Sequence, residues 1–144
     1  MKFILTGSLC LFFVFGAFAQ TKDLPEKTEQ SVEKLSLARK DKDGNIEEGL
    51  EVFNTKDIPI TCYIDLSSDI PTLVKMNFIA VKAKGLRADI KIVTVSYKTK
   101  DGENSVSFNA SPNKIWAVGD YRVDIFLDGK LAASKEFKIE AKVN

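Results

Sequence analysis

The sequence predicts an all-β protein, a sandwich or a barrel, on three observations. Near its end, two apolar–polar alternations flank Asp128-Gly129, the pattern of two half-buried strands joined by a tight turn. Shorter alternating segments recur upstream at intervals of about eight to twelve residues, separated by turn-forming residues. Residues 73–83 could also occur in a helix, but their apolar residues still recur with a period of two, which favours a strand. Together they indicate about seven to nine short strands.

The first nineteen residues have the three parts of a secretory signal peptide. Lys2 precedes a mostly apolar run at residues 4–15, and Ala17-Phe18-Ala19 places small residues before a cleavage point. The alternative is a membrane anchor, but the run is short for about 30 Å of hydrocarbon. We therefore expect cleavage after Ala19, release to the periplasm or the exterior, and no stable membrane insertion of the mature chain.

The mature chain is predicted to have a mobile arm and one domain. Residues 20–33 are polar and charged, which indicates an arm, with a short helix over residues 26–34 as the alternative. Residues 34–144 have the size of a single domain. The chain has 21 basic and 20 acidic residues, and Lys2 leaves with the leader, so 20 of each remain. This balance argues against nucleic acid or anionic lipid as partners.

The predicted strands follow one another along the domain. Residues 88–98 change phase between Ile92 and Val93, which predicts either a bulge or a strand that crosses between sheets. The predicted strands are residues 35–39, 51–53, 58–66, 72–82, 88–98, 105–110, 121–127 and 131–139.

Cys62 is the single cysteine of the mature chain, so the domain can have no internal disulfide. It shares the alternating face of Ile60 and Ile64 and is therefore predicted to be a small buried hydrophobe. The alternatives are a disulfide between chains and a free thiol.

The segment Gly119 to Val123 resembles the sixth strand of immunoglobulin-like and fibronectin type III domains. The resemblance implies that the hydroxyl of Tyr121 bonds to upstream backbone and that Val123 is a core position. Cys62 and Val123 stand where immunoglobulin domains have their cysteine pair, and Phe78 stands where they have a core tryptophan. The implied fold is an immunoglobulin-like antiparallel β-sandwich of about seven to nine strands without a disulfide.

A closer similarity covers residues 50–139. The pattern F-x-x-x-D at Phe53 is followed by W-x-x-G-x-Y-x-V-x-I-x-L-D-G from Trp116 and by a closing E-F-K-I. It is similar to a small immunoglobulin-like module of exported bacterial proteins. That resemblance implies a fold but no activity and no binding residues.

The residue inventory argues against an enzyme. The chain has no histidine, which excludes Ser-His-Asp and Cys-His catalysis and most zinc sites. Phosphate-binding glycine loops and dinucleotide motifs are absent from the sequence. Paired carboxylates such as Glu47-Glu48 are interpreted as solvated surface. We therefore expect no catalytic residues, no cofactor and no metal site.

Residues 41–45, DKDGN, match the first five positions of many EF-hand loops. Such a loop needs glycine at position 6 and a bidentate carboxylate at position 12, where this chain has Ile46 and Val52. The sequence predicts an ordinary turn, with weak surface binding of calcium as the alternative.

Tyr63, Trp116 and Phe126 are the candidate binding aromatics. Tyr63 and Phe126 lie opposite the apolar faces of their strands, so on one sheet they would form a flat platform for a sugar ring or a partner. The alternative is that the arm or a loop covers them. Trp116, just before a turn glycine, is predicted to close one end of the sandwich.

These observations predict a secreted or periplasmic, non-catalytic domain that acts as a protein-interaction or structural module of the cell envelope. Its edge strands and loops would be the contact surface, because a partner can extend an exposed strand edge. The alternative is a carbohydrate-binding module that uses surface aromatics.

Overall fold

The computed structural model describes residues 29–142, which form nine strands and no helix. No helix that could cross a membrane occurs in this range. The strands are β1 Val32–Lys40, β2 Ile46–Glu48, β3 Val52–Asn54, β4 Ile60–Leu66, β5 Leu73–Ala83, β6 Ile90–Lys98, β7 Ser105–Ala110, β8 Gly119–Leu127 and β9 Lys130–Glu140.

The strands form two sheets that pack face to face, which confirms the predicted sandwich. The four-stranded sheet has the order β2-β1-β4-β7, and the five-stranded sheet has the order β3-β9-β8-β5-β6. Neighbouring strands are antiparallel, apart from the parallel pair β3 and β9. Each strand directs alternate residues between the sheets, so the core forms there.

The closing hairpin has the predicted turn. Leu127 pairs with Lys130, and the two residues between them have positive φ, 47° at Asp128 and 87° at Gly129. This is the conformation of a two-residue turn whose twist matches that of the flanking strands.

The phase change in β6 is a bulge. Phe78 pairs with Val93 and Ile79 pairs with Lys91, so Ile92 is the extra residue. The strand stays in one sheet throughout, which makes the alternative of a crossing strand wrong. The bulge allows apolar side chains on both sides of the phase change to face the core.

The core of the described domain contains a cluster of aromatic rings contributed by segments far apart in the sequence. Phe78 stacks on Trp116 with ring centroids 5.0 Å apart, and Tyr121 stacks on Phe137 at 5.5 Å. Phe53 meets Phe137 edge to face. These contacts connect β3, β5, β8, β9 and the loop before β8, and their geometry is the one that aromatic pairs prefer.

Tyr121 makes the backbone contact that the resemblance implied. Its hydroxyl donates a hydrogen bond to the carbonyl of Ala117 at 2.7 Å, and burial raises the pKa of the phenol. Trp116 is 1% exposed, and its indole nitrogen donates to the carbonyl of Asp57 at 2.8 Å. The ring thus closes one end of the sandwich, as expected.

Cys62 lies in the core with 1% of its surface exposed, as the alternation of β4 predicted. Burial raises the pKa of its thiol to about 12. The thiol therefore stays protonated at physiological pH and is shielded from oxidants and other thiols.

Several strand boundaries differ from those predicted. The first strand begins at Val32, and the Gln30 side chain donates to the carbonyl of Ser68 at 2.8 Å. Residues 29–33 thus belong to the domain rather than to an arm, and residues 29–34 form no helix. The start of β1 was not predicted because it contains polar side chains. It is a strand because its backbone pairs with β4. The predicted signal peptide, residues 1–19, and residues 20–28 of the predicted arm lie outside the described residues.

Two further differences concern β4 and β2. The predicted strand began at Ile58, whereas β4 begins at Ile60 and Ile58 is 41% exposed. The short strand β2 was not predicted, because its three side chains are all exposed and have no alternation. It forms by pairing with the end of β1 across the 41–45 turn.

Candidate functional site

The predicted aromatic platform does not exist. Tyr63 lies on β4 in the four-stranded sheet, and Phe126 lies on β8 in the five-stranded sheet. Both side chains alternate away from the core, so they face opposite sides of the molecule. Trp116 is in the core, with 1% of its surface exposed. The alternation of apolar and polar residues assigned each ring to the outer side of its strand, but it could not assign the strands to sheets.

Phe126 is covered in part by a neighbour. The ammonium of Lys75 lies 4.5 Å from its ring centroid, within the range of a cation–π contact. The ring is half-buried on the outer face of the five-stranded sheet. It therefore contributes to the packing of that face.

The outer face of the five-stranded sheet also contains a polar cluster. Arg122 donates from Nε to Oδ1 of Asp124 at 2.8 Å, and the hydroxyl of Ser134 donates to the same oxygen at 2.7 Å. The hydrogen bond to Asp124 raises the pKa of Arg122. These groups satisfy one another across neighbouring strands, so the cluster stabilises the sheet rather than presenting a free acid or base.

The 41–45 segment folds as a turn. The Asp41 carboxylate accepts hydrogen bonds from the amides of Asp43 at 2.9 Å and Asn45 at 2.8 Å and from the Asn45 side chain at 3.0 Å. These bonds, led by that from the Asn45 side chain, hold the pKa of Asp41 below its usual value. Within residues 29–142, no group of three histidine, cysteine or acidic side chains is placed to hold a metal.

The sheet edges differ in how well they are protected. Strands β2 and β3 have three residues each. Strand β6 has nine residues, but it has the bulge at Ile92 and the charged side chains of Lys91 and Lys98. Short length, bulges and lysines are the devices that keep edges from pairing with other chains.

Strand β7 has none of these devices. Its sequence SVSFNA is uncharged and contains no proline, and its six residues pair with β4 without a register shift. It is an edge strand of the four-stranded sheet, opposite β2. It is therefore a straight, neutral edge that can accept another strand.

The backbone groups that β7 offers are set by its register. The amide of Leu66 donates to the carbonyl of Asn104 at 2.8 Å, so these residues form a hydrogen-bonded pair. Because such pairs alternate along an antiparallel ladder, Ser105, Ser107 and Asn109 direct their N–H and C=O groups away from β4. The free edge thus has three residues with both groups available.

A groove follows the open side of the sandwich between β7 and β6. It has a volume of about 540 Å³, and its apolar lining includes Val95, Val106 and Phe108. Tyr97, 40% exposed, lines the groove, and its hydroxyl donates to the Glu103 carboxylate at 3.0 Å. This hydrogen bond raises the pKa of Tyr97. A strand added to β7 would direct alternate side chains into this groove.

Comparison with known proteins identifies the fold. The sequence matches no protein-family model and no curated protein. The structure is similar to the crystal structure of an immunoglobulin-like protein, PA1606, from Pseudomonas aeruginosa, with a TM-score of 0.54 and 18% sequence identity over 80% of this chain and 99% of that one. The class of protein is therefore an immunoglobulin-like β-sandwich.

A second solved structure matches at a lower level. It is the alkylpurine DNA glycosylase AlkC of Pseudomonas fluorescens bound to DNA containing an abasic site analog, with a TM-score of 0.49 and 18% identity. The match covers 78% of this chain but 31% of the glycosylase.

Proposed function

We propose that this protein is an exported, non-catalytic immunoglobulin-like module of the cell envelope that acts by accepting a strand of a partner protein along β7. The observation that carries the proposal is the neutral, straight edge of β7 beside an apolar groove. The leader-like residues 1–19 and the lack of histidine support export and a non-catalytic role. The W-x-x-G-x-Y hairpin supports the likeness to modules of exported bacterial proteins and to fibronectin type III domains.

Strand addition supplies both affinity and selectivity at such an edge. The free N–H and C=O groups of Ser105, Ser107 and Asn109 would bond to the partner backbone irrespective of its sequence. Selectivity would come from alternate partner side chains that enter the groove beside Val95 and Phe108. The favoured partner is therefore an extended segment with apolar residues at every second position.

The test uses proline to block one edge at a time. Ser107→Pro removes an outward N–H from β7 and leaves the pairing of Phe108 with Cys62 in place. Ser96→Pro is the matched control on β6, because the bond from the Thr99 amide to the Thr72 carbonyl places Ser96 at an outward position too. Ser107→Lys adds a charge to the edge without restricting the backbone.

The purified proteins are used to capture partners from envelope extracts, with circular dichroism as the check on folding. We expect a protein bound by the wild type and by Ser96→Pro to be lost with Ser107→Pro and reduced with Ser107→Lys. Retention by both Ser107 variants would exclude β7 as the contact. Failure to capture any protein, together with strong binding on a glycan array, would refute the protein-interaction function itself.

A further inference from the structure

One end of the sandwich presents apolar side chains on three neighbouring loops, residues 55–59, 84–89 and 111–118. Their exposed fractions are 41% at Ile58, 42% at Leu86, 58% at Ile115 and 39% at Val118. We call these four residues the loop-end patch. They belong to loops, so burial in the core does not explain their apolar character.

The three loops are held against one another by the backbone. The amide of Lys84 donates to the carbonyl of Val118 at 2.9 Å, which joins the second loop to the third. The amide of Trp116 donates to the carbonyl of Thr55 at 3.0 Å, which joins the third loop to the first. Leu86 and Ile115 line one cavity of about 260 Å³ with Trp116. The patch is therefore one surface.

Basic side chains accompany the patch on every loop. Lys56 is on the first loop, Lys84 and Arg87 are on the second, and Lys114 is on the third. None of the ion pairs formed among residues 29–142 involves these four side chains.

The acidic side chains of the same loops do not cancel this charge. Asp57 is engaged by Arg39, whose guanidinium lies 2.8 Å from its carboxylate. Asp89 is the other acidic residue of these loops. On these three loops, four basic side chains thus accompany two acidic ones, in a molecule with a formal net charge of +1.

We propose that the loop-end patch binds the surface of an anionic lipid bilayer. Apolar side chains at the loop ends enter the interfacial region, while neighbouring Lys and Arg side chains remain at the level of the anionic headgroups. A broad surface is the occupant that engages three loops at once, and its negative charge complements Lys56, Lys84, Arg87 and Lys114. This binding is reversible attachment, is separate from the β7 edge, and does not depend on the function proposed for that edge.

Trp116 is a built-in probe for this contact. It is the single tryptophan of the chain, and it lines the same cavity as Leu86 and Ile115. Phosphatidylglycerol with brominated acyl chains quenches tryptophan at short range. Quenching therefore reports contact of the patch with the bilayer, even if residues 1–19 also attach the protein to the vesicle.

The experiment compares three forms of the full-length protein on vesicles of brominated phosphatidylglycerol and on vesicles of brominated phosphatidylcholine. The patch variant combines Lys84→Glu, Arg87→Glu and Lys114→Glu. The matched control combines Lys98→Glu, Lys100→Glu and Lys130→Glu, which make the same charge change at the opposite end. A third variant, Leu86→Ser with Ile115→Ser, removes apolar surface without a change of charge. Circular dichroism verifies that each variant is folded.

We expect the phosphatidylglycerol vesicles to quench Trp116 in the wild type and in the matched control, and the phosphatidylcholine vesicles to quench it weakly. Each basic side chain removed should weaken binding about fivefold, so the patch variant should bind at least about a hundredfold less tightly. The serine variant should also bind the phosphatidylglycerol vesicles less tightly than the wild type does. Equal quenching in the patch variant and the control would overturn the proposal. If the protein binds polyglutamate but does not bind the phosphatidylglycerol vesicles, the patch would be assigned to an acidic protein partner, and the proposal would be overturned too.

Discussion

Among single residues, Cys62 shows how burial changes the pKa of a side chain. Its thiol is 1% exposed among apolar neighbours of both sheets, and desolvation raises its pKa to about 12. When folding raises the pKa of a group, the group makes its full contribution to stability at pH values below the pKa that it has in the unfolded state. That contribution is lost as the pH rises towards the pKa of the folded state. For Cys62 this window runs from about pH 9 to about pH 12.

The first prediction follows from this window. The difference in unfolding free energy between the wild type and Cys62→Ala should be nearly constant up to about pH 8.5 and should then fall, with a slope that approaches about 1.4 kcal/mol per pH unit above about pH 9. The physical reason is that only the wild type gains a thiolate on unfolding. Urea unfolding of both proteins at several pH values between 7 and 10.5 measures the difference. Parallel pH profiles would show that the thiol ionises equally in both states.

At the scale of the structural element, Gly119 determines how closely β5 and β8 approach. It begins β8 and pairs with Ala83, the last residue of β5. A Cβ at this position would lie 2.2 Å from the carbonyl oxygen of Lys82 and 2.5 Å from the Cα of Ala83. Both obstacles are backbone, so they cannot rotate away. The glycine therefore allows the end of the sandwich to close beside Trp116 and Tyr121.

The second prediction compares two glycines. Gly119→Ala should destabilise the domain by at least about 3 kcal/mol, because two paired strands must separate to admit the methyl group. Gly129→Ala should cost about 1 kcal/mol, because its Cβ meets open space and only its positive φ, 87°, is unfavourable for alanine. Denaturant unfolding gives both values. Similar losses at the two sites would show that the close approach at Gly119 is relieved at little cost.

At the scale of the whole molecule, one core connects both sheets and all the long strands. Cys62 and Phe108 face it from the four-stranded sheet, and Phe78 and Val123 face it from the five-stranded sheet. Most strand pairs in the described range join segments distant in sequence, such as β1 with β4 and β5 with β8. A single core shared by both sheets indicates that neither sheet is stable alone.

The third prediction is that the domain unfolds in one cooperative step. Trp116 fluorescence and far-ultraviolet circular dichroism should give superimposable denaturation curves, because the first reports the core and the second reports both sheets. Refolding should take milliseconds to seconds, since non-local strand pairing is slow. Stopped-flow fluorescence measures this rate, and Trp116→Phe verifies the origin of the signal. Two separated transitions would mean that the sheets unfold independently.

Patterns in the amino-acid sequence were sufficient to predict the features that depend on neighbours along the chain. The alternation of β4, the Asp128-Gly129 turn, the burial of Cys62 and the phase change in β6 were all readable, because side chains alternate across a strand and positive φ selects particular residues. That the phase change is a bulge was decided by the strand pairing. The polar start of β1 and the exposed strand β2 were not readable, because backbone pairing with distant residues creates them.

The surfaces of the molecule, in contrast, follow from contacts between distant segments of the chain, which the structure reveals. The tertiary structure placed Tyr63 and Phe126 on opposite faces, made β7 an outer edge, and brought Leu86, Ile115 and their basic neighbours to one end of a chain whose charges nearly balance. The physical reason is that a period of two assigns a side chain to one side of its own strand. The sheet that the strand joins, and the loops that meet at its end, depend on contacts between residues far apart in sequence.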